Sequence, residues 1–285
     1  MSGPLKHDLP EKKPLVSIII PTKNSENTIE ECLNSIRAQT FDNIEIIVVD
    51  NYSKDKTVPI ATKYGAKIFS KGPERGAQVN FGVANANGRY LYRVDSDFVL
   101  QPDVVREAVE NCENHGYDAI AIHNTSDSTV SFWAKVRKTE RDCYRNDELN
   151  VAARFWKRET FAAVGGFDET LVAADDYDLH NRLLKRGYKI GRIKSEEIHL
   201  GEPKTLADVF RKHYYYGQNI ERFIGKDPRK ALQQLNPLRR SYRTGFPEIL
   251  RNPPLMAGFA IYQFVRYTAA TIGIVSCRFE RVHAL

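Results

Sequence analysis

Tyr90-Leu91-Tyr92-Arg93-Val94-Asp95-Ser96-Asp97-Phe98-Val99-Leu100 sets an apolar strand against two carboxylates one residue apart. In an extended segment residues i and i+2 point to the same side, so Asp95 and Asp97 can face one small volume. Hard oxygen ligands suit Mg2+ or Mn2+, which complete their shells with substrate phosphates and water. An acid-x-acid triplet alone is more often a solvated turn, so its meaning depends on the chain around it.

Upstream, Leu15 to Ile20 is a continuous apolar run ended by Pro21, the pattern of a strand buried on both faces. Asn27 and Glu30 have the spacing of a helix-start box, and Ile29, Leu33, Ile36 and Ala38 supply a helical stripe. Ile44 to Val49 reads as a second buried strand with Asp50 at its end. Thr57 to Tyr64 reads as a helix stopped by Gly65, and Lys67 to Phe69 as a third strand. Glu74 to Ala86 reads as a helix with Gly88 as its stop. Strands alternating with helices predict an α/β fold with an open, mostly parallel sheet flanked by helices. Ligands bind such sheets beyond the carboxyl ends of the strands. Three polar groups converge there: Pro21-Thr22-Lys23-Asn24, Asp50-Asn51-Tyr52-Ser53 and Asp95-Ser96-Asp97.

Downstream, the pattern predicts a helix over Pro102 to Asn114, a strand over Ala119 to Ile122 and a charged helix over Ser131 to Tyr144. A strand follows at Ala152 to Trp156, then a turn at Gly165-Gly166-Phe167-Asp168. Asp175-Asp176-Tyr177-Asp178 opens a helix that runs to Lys185 and ends at Gly187; acids at that position also suit simple capping of the helix dipole.

The chain has 285 residues, enough for one large α/β domain with a C-terminal appendage, and a net charge of +6. From residue 201 onward 14 Lys and Arg stand against 6 Asp and Glu, a surplus of +8 that leaves −2 for the first 200 residues. The basic surplus implies an anionic partner near the C-terminus; on charge alone this can be an anionic lipid, a lipid phosphate or nucleic acid. Cys32, Cys112, Cys143 and Cys277 are scattered without a C-x-x-C pair, which argues for a reduced compartment and against zinc. Met1 to Lys13 is polar and lacks an apolar core, so no signal peptide is expected and a cytoplasmic location is the simpler reading.

Taken in order and spacing, Val16 to Asn24, Ile47 to Thr57, Asn80 to Asp97, Val164 to Glu169 and Asp175 to Leu179 resemble a family 2 glycosyltransferase of the GT-A fold, over about residues 14 to 200. The resemblance implies an inverting transfer from a nucleotide sugar, with Mn2+ or Mg2+ as cofactor. It places Pro21, Thr22, Lys23, Asn24 and Asp50 at the nucleotide, Asp50 facing a uracil or guanine imino group. Arg75 is then a candidate for ribose or phosphate, Asp95 for ribose, and Asp97 for the metal. His199 stands where the family's late metal-binding histidine falls, and Asp176 matches the second acid of its Glu-Asp pair, the general base. Asp175 replaces the usual Glu. For an acceptor that is already an anionic phosphate, Asp176 would orient rather than deprotonate it.

Domain boundaries are expected at an N-terminal tail (1–13), a catalytic domain (14–203) and a helical, basic region (204–285). No Gln-x-x-Arg-Trp motif follows His199, which argues against a processive polymerase. Arg211 to Gln218 is instead a basic, aromatic cluster, and Asp175, Trp156, Lys212 and Tyr216 are candidates for contact with acceptor or phosphate. Arg239, Arg240, Arg243 and Arg251 precede a largely apolar segment, 255–277, interrupted by Gln263 and Arg266. Its longest charge-free run, Asn252 to Val265, is 14 residues, short of the roughly 18–20 needed to span a bilayer. An interfacial helix with arginines at anionic head groups fits it, and so does a helix packed on the catalytic domain or on a homodimer partner. The expected partners are a nucleotide-sugar donor, a glycan or lipid-linked acceptor such as a polyprenyl phosphate, and the inner face of the membrane, with no nucleic acid. A nucleotidyltransferase is the rival enzyme class, but Pro21 to Asn24 lacks its glycine-rich loop. A basic lipid- or nucleic-acid-binding protein is the non-enzyme rival, and it leaves the ordered carboxylates without a role.

Overall fold

The computed structural model describes residues 13–147, 149–237, 241–242, 249 and 251–283. Residues 1–12 of the N-terminal tail, and Arg239, Arg240 and Arg243, lie outside the described residues.

The first half is built from β1 (Val16–Thr22), α1 (Ile29–Arg37), β2 (Ile44–Asp50), α2 (Thr57–Lys63), β3 (Lys67–Ser70), α3 (Arg75–Ala84), β4 (Tyr90–Arg93), β5 (Phe98–Leu100) and α4 (Val104–His115). It continues with β6 (Ala119–Ala121), β7 (Asn124–Ser126), α5 (Phe132–Asp142), β8 (Ala153–Lys157), α6 (Arg158–Ala163), α7 (Asp175–Lys185), β9 (Ile190–Arg192) and β10 (Glu197–His199). Helices α8 (Leu206–Asn219), α9 (Glu221–Lys226), α10 (Pro228–Leu235) and α11 (Pro253–His283) complete it.

Seven strands form the main sheet in the order β3-β2-β1-β4-β8-β6-β9, and a small sheet has the order β5-β10-β7. Strands β1 to β4 are mutually parallel, while β8 runs antiparallel to β4 and β6, so the sheet is mixed. Isoleucines at 18, 19, 20 and 47 and valines at 48 and 49 are fully buried, because helices cover both faces. One core holds Ile18, Ile20, Val48 and the apolar stripes of α1 and α4; the other holds Ile19, Val49, Leu91, Trp156 and Phe167. The result is an α/β domain with an open, mixed sheet flanked by helices and a helical C-terminal extension.

Local details depart from the expectation. Pro21 does not end β1, which runs on to Thr22. Pairing of β1 with β4 stops at Ile19 opposite Arg93, so the missing Pro21 N–H falls where no ladder bond is needed. The Asn27–Glu30 box does not form; α1 starts after Thr28 without a side-chain cap. Gly88 is not a helix stop. α3 ends at Ala84, and Gly88 passes so close to Ser17 that a Cβ would meet its Oγ and backbone N.

The C-terminal helix is packed rather than free. α11 lies against α8 and α5, and Val136, Val209, Leu255 and Tyr262 form the apolar joint. Arg266, which interrupts the apolar segment, is turned inward to an ion pair with the fully buried Glu140. Among the described residues no helix is long and apolar enough to cross a membrane.

Candidate active site

The carboxyl ends of β1, β2 and β4 lie side by side because these parallel strands share one register. Their loops are stitched together. Asn24 takes a left-handed backbone (φ 50°), its N–H donates to Ser53 Oγ at 2.7 Å, and its Oδ1 accepts from Lys54 N–H at 2.9 Å. Asp50 is buried and accepts from the Ser53 backbone N–H at 2.8 Å. Gln78 of α3 donates to the carbonyls of Thr22 and Val49 and pins the two strand ends. Lys23 and Asn24 are exposed above them.

Asp95 sits in a cluster of guanidiniums. Its Oδ2 lies 2.8 Å from Arg154, 3.2 Å from Arg93 and 3.8 Å from Arg75. Burial opposes its charge, but Arg93, Arg154 and Arg75 outweigh that and hold the carboxyl well below the usual range. Its other oxygen, Oδ1, is buried without a hydrogen-bond partner among the described residues. Arg154 also pairs with Glu197 at 3.0 Å, and Tyr92 donates to Glu197 at 2.7 Å. Burial pushes the Glu197 carboxyl up. Arg75 grips Asp175 through two N–H groups, so it ties the end of β4 to the first turn of α7. That turn opens at Ala174, which holds a left-handed φ of 59°, and the next residues present Asp176 with partial exposure.

Asp97 faces His199. The imidazole Nε2 is 3.2 Å from Asp97 Oδ2, and Nδ1 is 2.7 Å from Glu202 Oε1. β10 carries His199 and pairs with β5, which follows Asp97, so the small sheet sets this contact. Gly201 makes room for it: a Cβ there would collide with Asp97 Oδ2. An oxygen and an imidazole nitrogen suit Mn2+ and, for the oxygen, Mg2+. Among the described residues no cluster of three His, Cys, Asp or Glu side chains is arranged to hold a metal ion alone. The pair therefore fits a cation that takes its remaining oxygens from a diphosphate and water.

A cavity of about 580 Å³ opens beside these groups, lined by Arg75, Asp95, Asp176, His199, Lys212 and Tyr216 among others. Pro21, Thr22, Lys23, Asn24 and Asp50 do not line it; they form the neighbouring strand-end rim. Trp156 is a correction. Expected at the acceptor, it is fully buried between Phe161 and Phe167, because β8 is an interior strand of the sheet and its residue 156 faces the core. Asp175 is likewise buried and turned to Arg75 rather than to the cavity. Asp178 pairs with Arg182 and Lys226 at 2.8 Å each. Arg93, Arg154, Glu197 and Glu202 are not singled out in the sequence as site residues; for Arg93 and Arg154 the available signal is a charge inside an otherwise apolar strand, and Glu197 and Glu202 offer none.

The family model for "Glycosyl transferase family 2" matches residues 17–191. The chain belongs to this family. It is 30% identical over 190 residues to an uncharacterized glycosyltransferase of Rickettsia typhi, 60% of this chain and 59% of that one. The chain thus spans about three fifths of the length of that relative. It is 26% identical over 243 residues to the succinoglycan biosynthesis protein ExoA of Rhizobium meliloti, covering 78% and 74% of the two chains. Among solved structures it resembles the mannosyltransferase PcManGT of Pyrobaculum calidifontis in complex with GDP-Man and Mn2+, with TM-score 0.63, 19% identity, and 92% and 87% of the chains covered. It also resembles S. aureus TarS 1–349 in complex with UDP-GlcNAc, with TM-score 0.55, 16% identity, and 93% and 92% covered.

Proposed function

We propose that this chain transfers a sugar, with inversion, from a UDP- or GDP-sugar to an acceptor such as a lipid-linked glycan or a polyprenyl phosphate, with Mn2+ or Mg2+ as cofactor. The observation that carries this reading is the juxtaposition of Asp97 and His199, 3.2 Å apart, with Asp95, Arg75 and Asp176 on one cavity. The structural neighbours support it: one holds GDP-Man and Mn2+, another UDP-GlcNAc.

In this reading Pro21 to Asn24 and Asp50 hold the nucleoside, and Asp95 with Arg75 holds ribose and phosphate. Asp97 and His199 would hold a cation, which would supply charge neutralisation for the departing diphosphate. Asp176 takes the proton of an acceptor hydroxyl as the new bond from the acceptor oxygen to the anomeric carbon forms. The bond from that carbon to the diphosphate breaks at the same time, and the nucleoside diphosphate leaves with the electron pair. A phosphate acceptor arrives without that proton, and Asp176 then orients it.

A membrane-borne acceptor is supported by α11, on which Ile261, Phe264, Ile272, Val275 and Phe279 are exposed at helical spacing along one stripe. With the basic surplus of the C-terminal region, that stripe suits the inner, anionic face of a membrane. The deciding experiment is release of UDP or GDP from a panel of nucleotide sugars with Mn2+ present. Release that needs metal and an acceptor is expected; no release from any donor would overturn the reading.

A further inference from the structure

The part of the cavity walled by α5, α8 and α11 is rich in cations. Arg137 and Arg141 on α5, Lys212 on α8 and Arg266 on α11 all line it. Two carboxylates answer them. Glu140, fully buried, pairs with both Arg137 and Arg266. Glu202 lies 3.4 Å from Arg141 but already accepts from Ser126 at 2.6 Å and faces His199 at 2.7 Å. Lys212 is exposed and has no ion pair among the described residues. Arg141 is 8% exposed, and its Nε–H is buried without a partner among the described residues. Among the described residues these four cations pair with two carboxylates, Lys212 also helps hold down the nearby Asp97 carboxyl, and Arg141 keeps an unused donor, so cations outnumber carboxylates at this wall.

His213 senses that surplus. It lines the same wall, and burial together with Arg266, Arg137 and Lys212 drives its imidazole down to about 2. It is therefore a neutral ring among the cations. Guanidinium forks match phosphate oxygens, and a wall with more cations than carboxylates suits a phosphate. Ile220, Ile224 and Ile274 line the same cavity and offer an apolar wall beside the charged one.

We propose that Arg137, Arg141, Lys212 and Arg266 form a phosphate site for the acceptor, which carries a phosphate monoester or diphosphate on an apolar carrier. This rests on the glycosyl-transfer reading, narrows its acceptor to a phosphorylated one and adds the residues that recognise the phosphate.

The test is a calorimetric titration of the full chain with farnesyl phosphate in EDTA, which keeps the donor diphosphate site from assembling on metal, with farnesol and inorganic phosphate as controls. Farnesyl phosphate should bind, and farnesol at least about tenfold more weakly; Lys212→Ala and Arg266→Gln should each weaken farnesyl phosphate by about tenfold or more, as should 0.5 M NaCl. Lys212→Ala removes an exposed, unpaired side chain, so a change in it does not reflect misfolding. Inorganic phosphate binding with the same sensitivity to both variants points to a soluble phosphorylated acceptor. Charge-dependent binding of farnesyl phosphate alone points to a lipid-borne one. The proposal is overturned if farnesol binds as well as farnesyl phosphate, if neither binds, or if both variants bind like the parent. A parallel assay of nucleotide-sugar turnover separates the failures. Turnover without farnesyl phosphate binding defeats the phosphate site alone; binding at the wall with no turnover on any donor defeats the transfer reading.

Discussion

The Glu202 carboxylate lies 2.7 Å from Nδ1 of His199, on the side of the ring opposite Asp97. Burial opposes the Glu202 charge, but the His199 hydrogen bond and Arg141 hold this carboxyl well below its ordinary range. With a cation bound between Nε2 and Asp97, the Nδ1 contact to Glu202 would orient the ring and fix the tautomer that a metal ligand requires. Glu202→Gln weakens that orientation and should lower Mn2+ affinity by about 10–100-fold. Nucleotide binding in the absence of metal should change far less. Titration of free Mn2+ by electron paramagnetic resonance reads this directly, and an unchanged affinity would remove the orienting role.

Asp176 stands in the first turn of α7 with its carboxylate on the cavity, next to the Arg75–Asp175 pair that fixes the turn. Asp176→Asn keeps the size of the side chain and its bond from the Tyr177 N–H, but cannot accept a proton. Turnover should fall by about 10²–10⁴-fold with a hydroxyl acceptor, while nucleotide binding stays near normal. Steady-state rates and nucleotide titration on the same variant check it. Near-normal turnover with a hydroxyl acceptor would exclude Asp176 as the base.

The polar groups beyond the ends of β1, β2 and β4 are legible in the sequence because these strands are largely buried and so read as mainly apolar runs. The small sheet is not legible. β5, β7 and β10 have three residues each, too few for any period to register, yet they carry His199 to Asp97. His199 could be placed only by its order along the chain. Arg93 and Arg154 were hidden for another reason: a charge in a strand usually marks a solvent face, whereas these two are buried by mutual pairing with Asp95 and Glu197. Trp156 fails in the opposite sense, since an aromatic near a polar cluster suits an acceptor platform as well as a core.

Trp156→Ala should therefore act on stability. The side chain is fully buried among Phe161, Phe167 and Leu91, and its removal should cost about 3–5 kcal/mol. Denaturant unfolding measures the loss, and Trp156→Phe should recover most of it. A variant of undiminished stability but poor acceptor binding would return Trp156 to the acceptor site.

Glu45 provides a pH test remote from the cavity. It accepts from Ser17 Oγ at 2.5 Å, Asn87 N–H at 2.6 Å and Lys67 Nζ at 2.7 Å. Burial opposes its charge, but Lys67, Ser17 and Asn87 bring its carboxyl down from 4.5 to about 2. A depressed folded value adds stability above the unfolded value, and that stability is lost as pH falls through the folded one. Glu45→Gln should cost about 1–2 kcal/mol at pH 7, less than the full shift implies because solvent screens the half-exposed Lys67. The gap from the parent should close between pH 4.5 and about 2, and melting curves across that range show whether it does.

Gly217 of α8 and Gly273 of α11 let the two helices cross backbone to backbone. A Cβ on Gly217 would fall inside contact distance of the Ala270 carbonyl, and one on Gly273 would meet that of Tyr214. Both clashes are with backbone, so no side-chain rotation relieves them. Gly217→Ala gains helix propensity but must push α11 outward, at a net cost of about 1–3 kcal/mol. Because Arg266 reaches Glu140 from α11 while Lys212 and His213 line the cavity from α8, the same displacement opens the cationic wall. The variant should expose α11 to limited proteolysis while the α/β core, whose strands do not touch this crossing, keeps its own resistance. Parent-like resistance of α11 would mean that the crossing has slack the close approach denies.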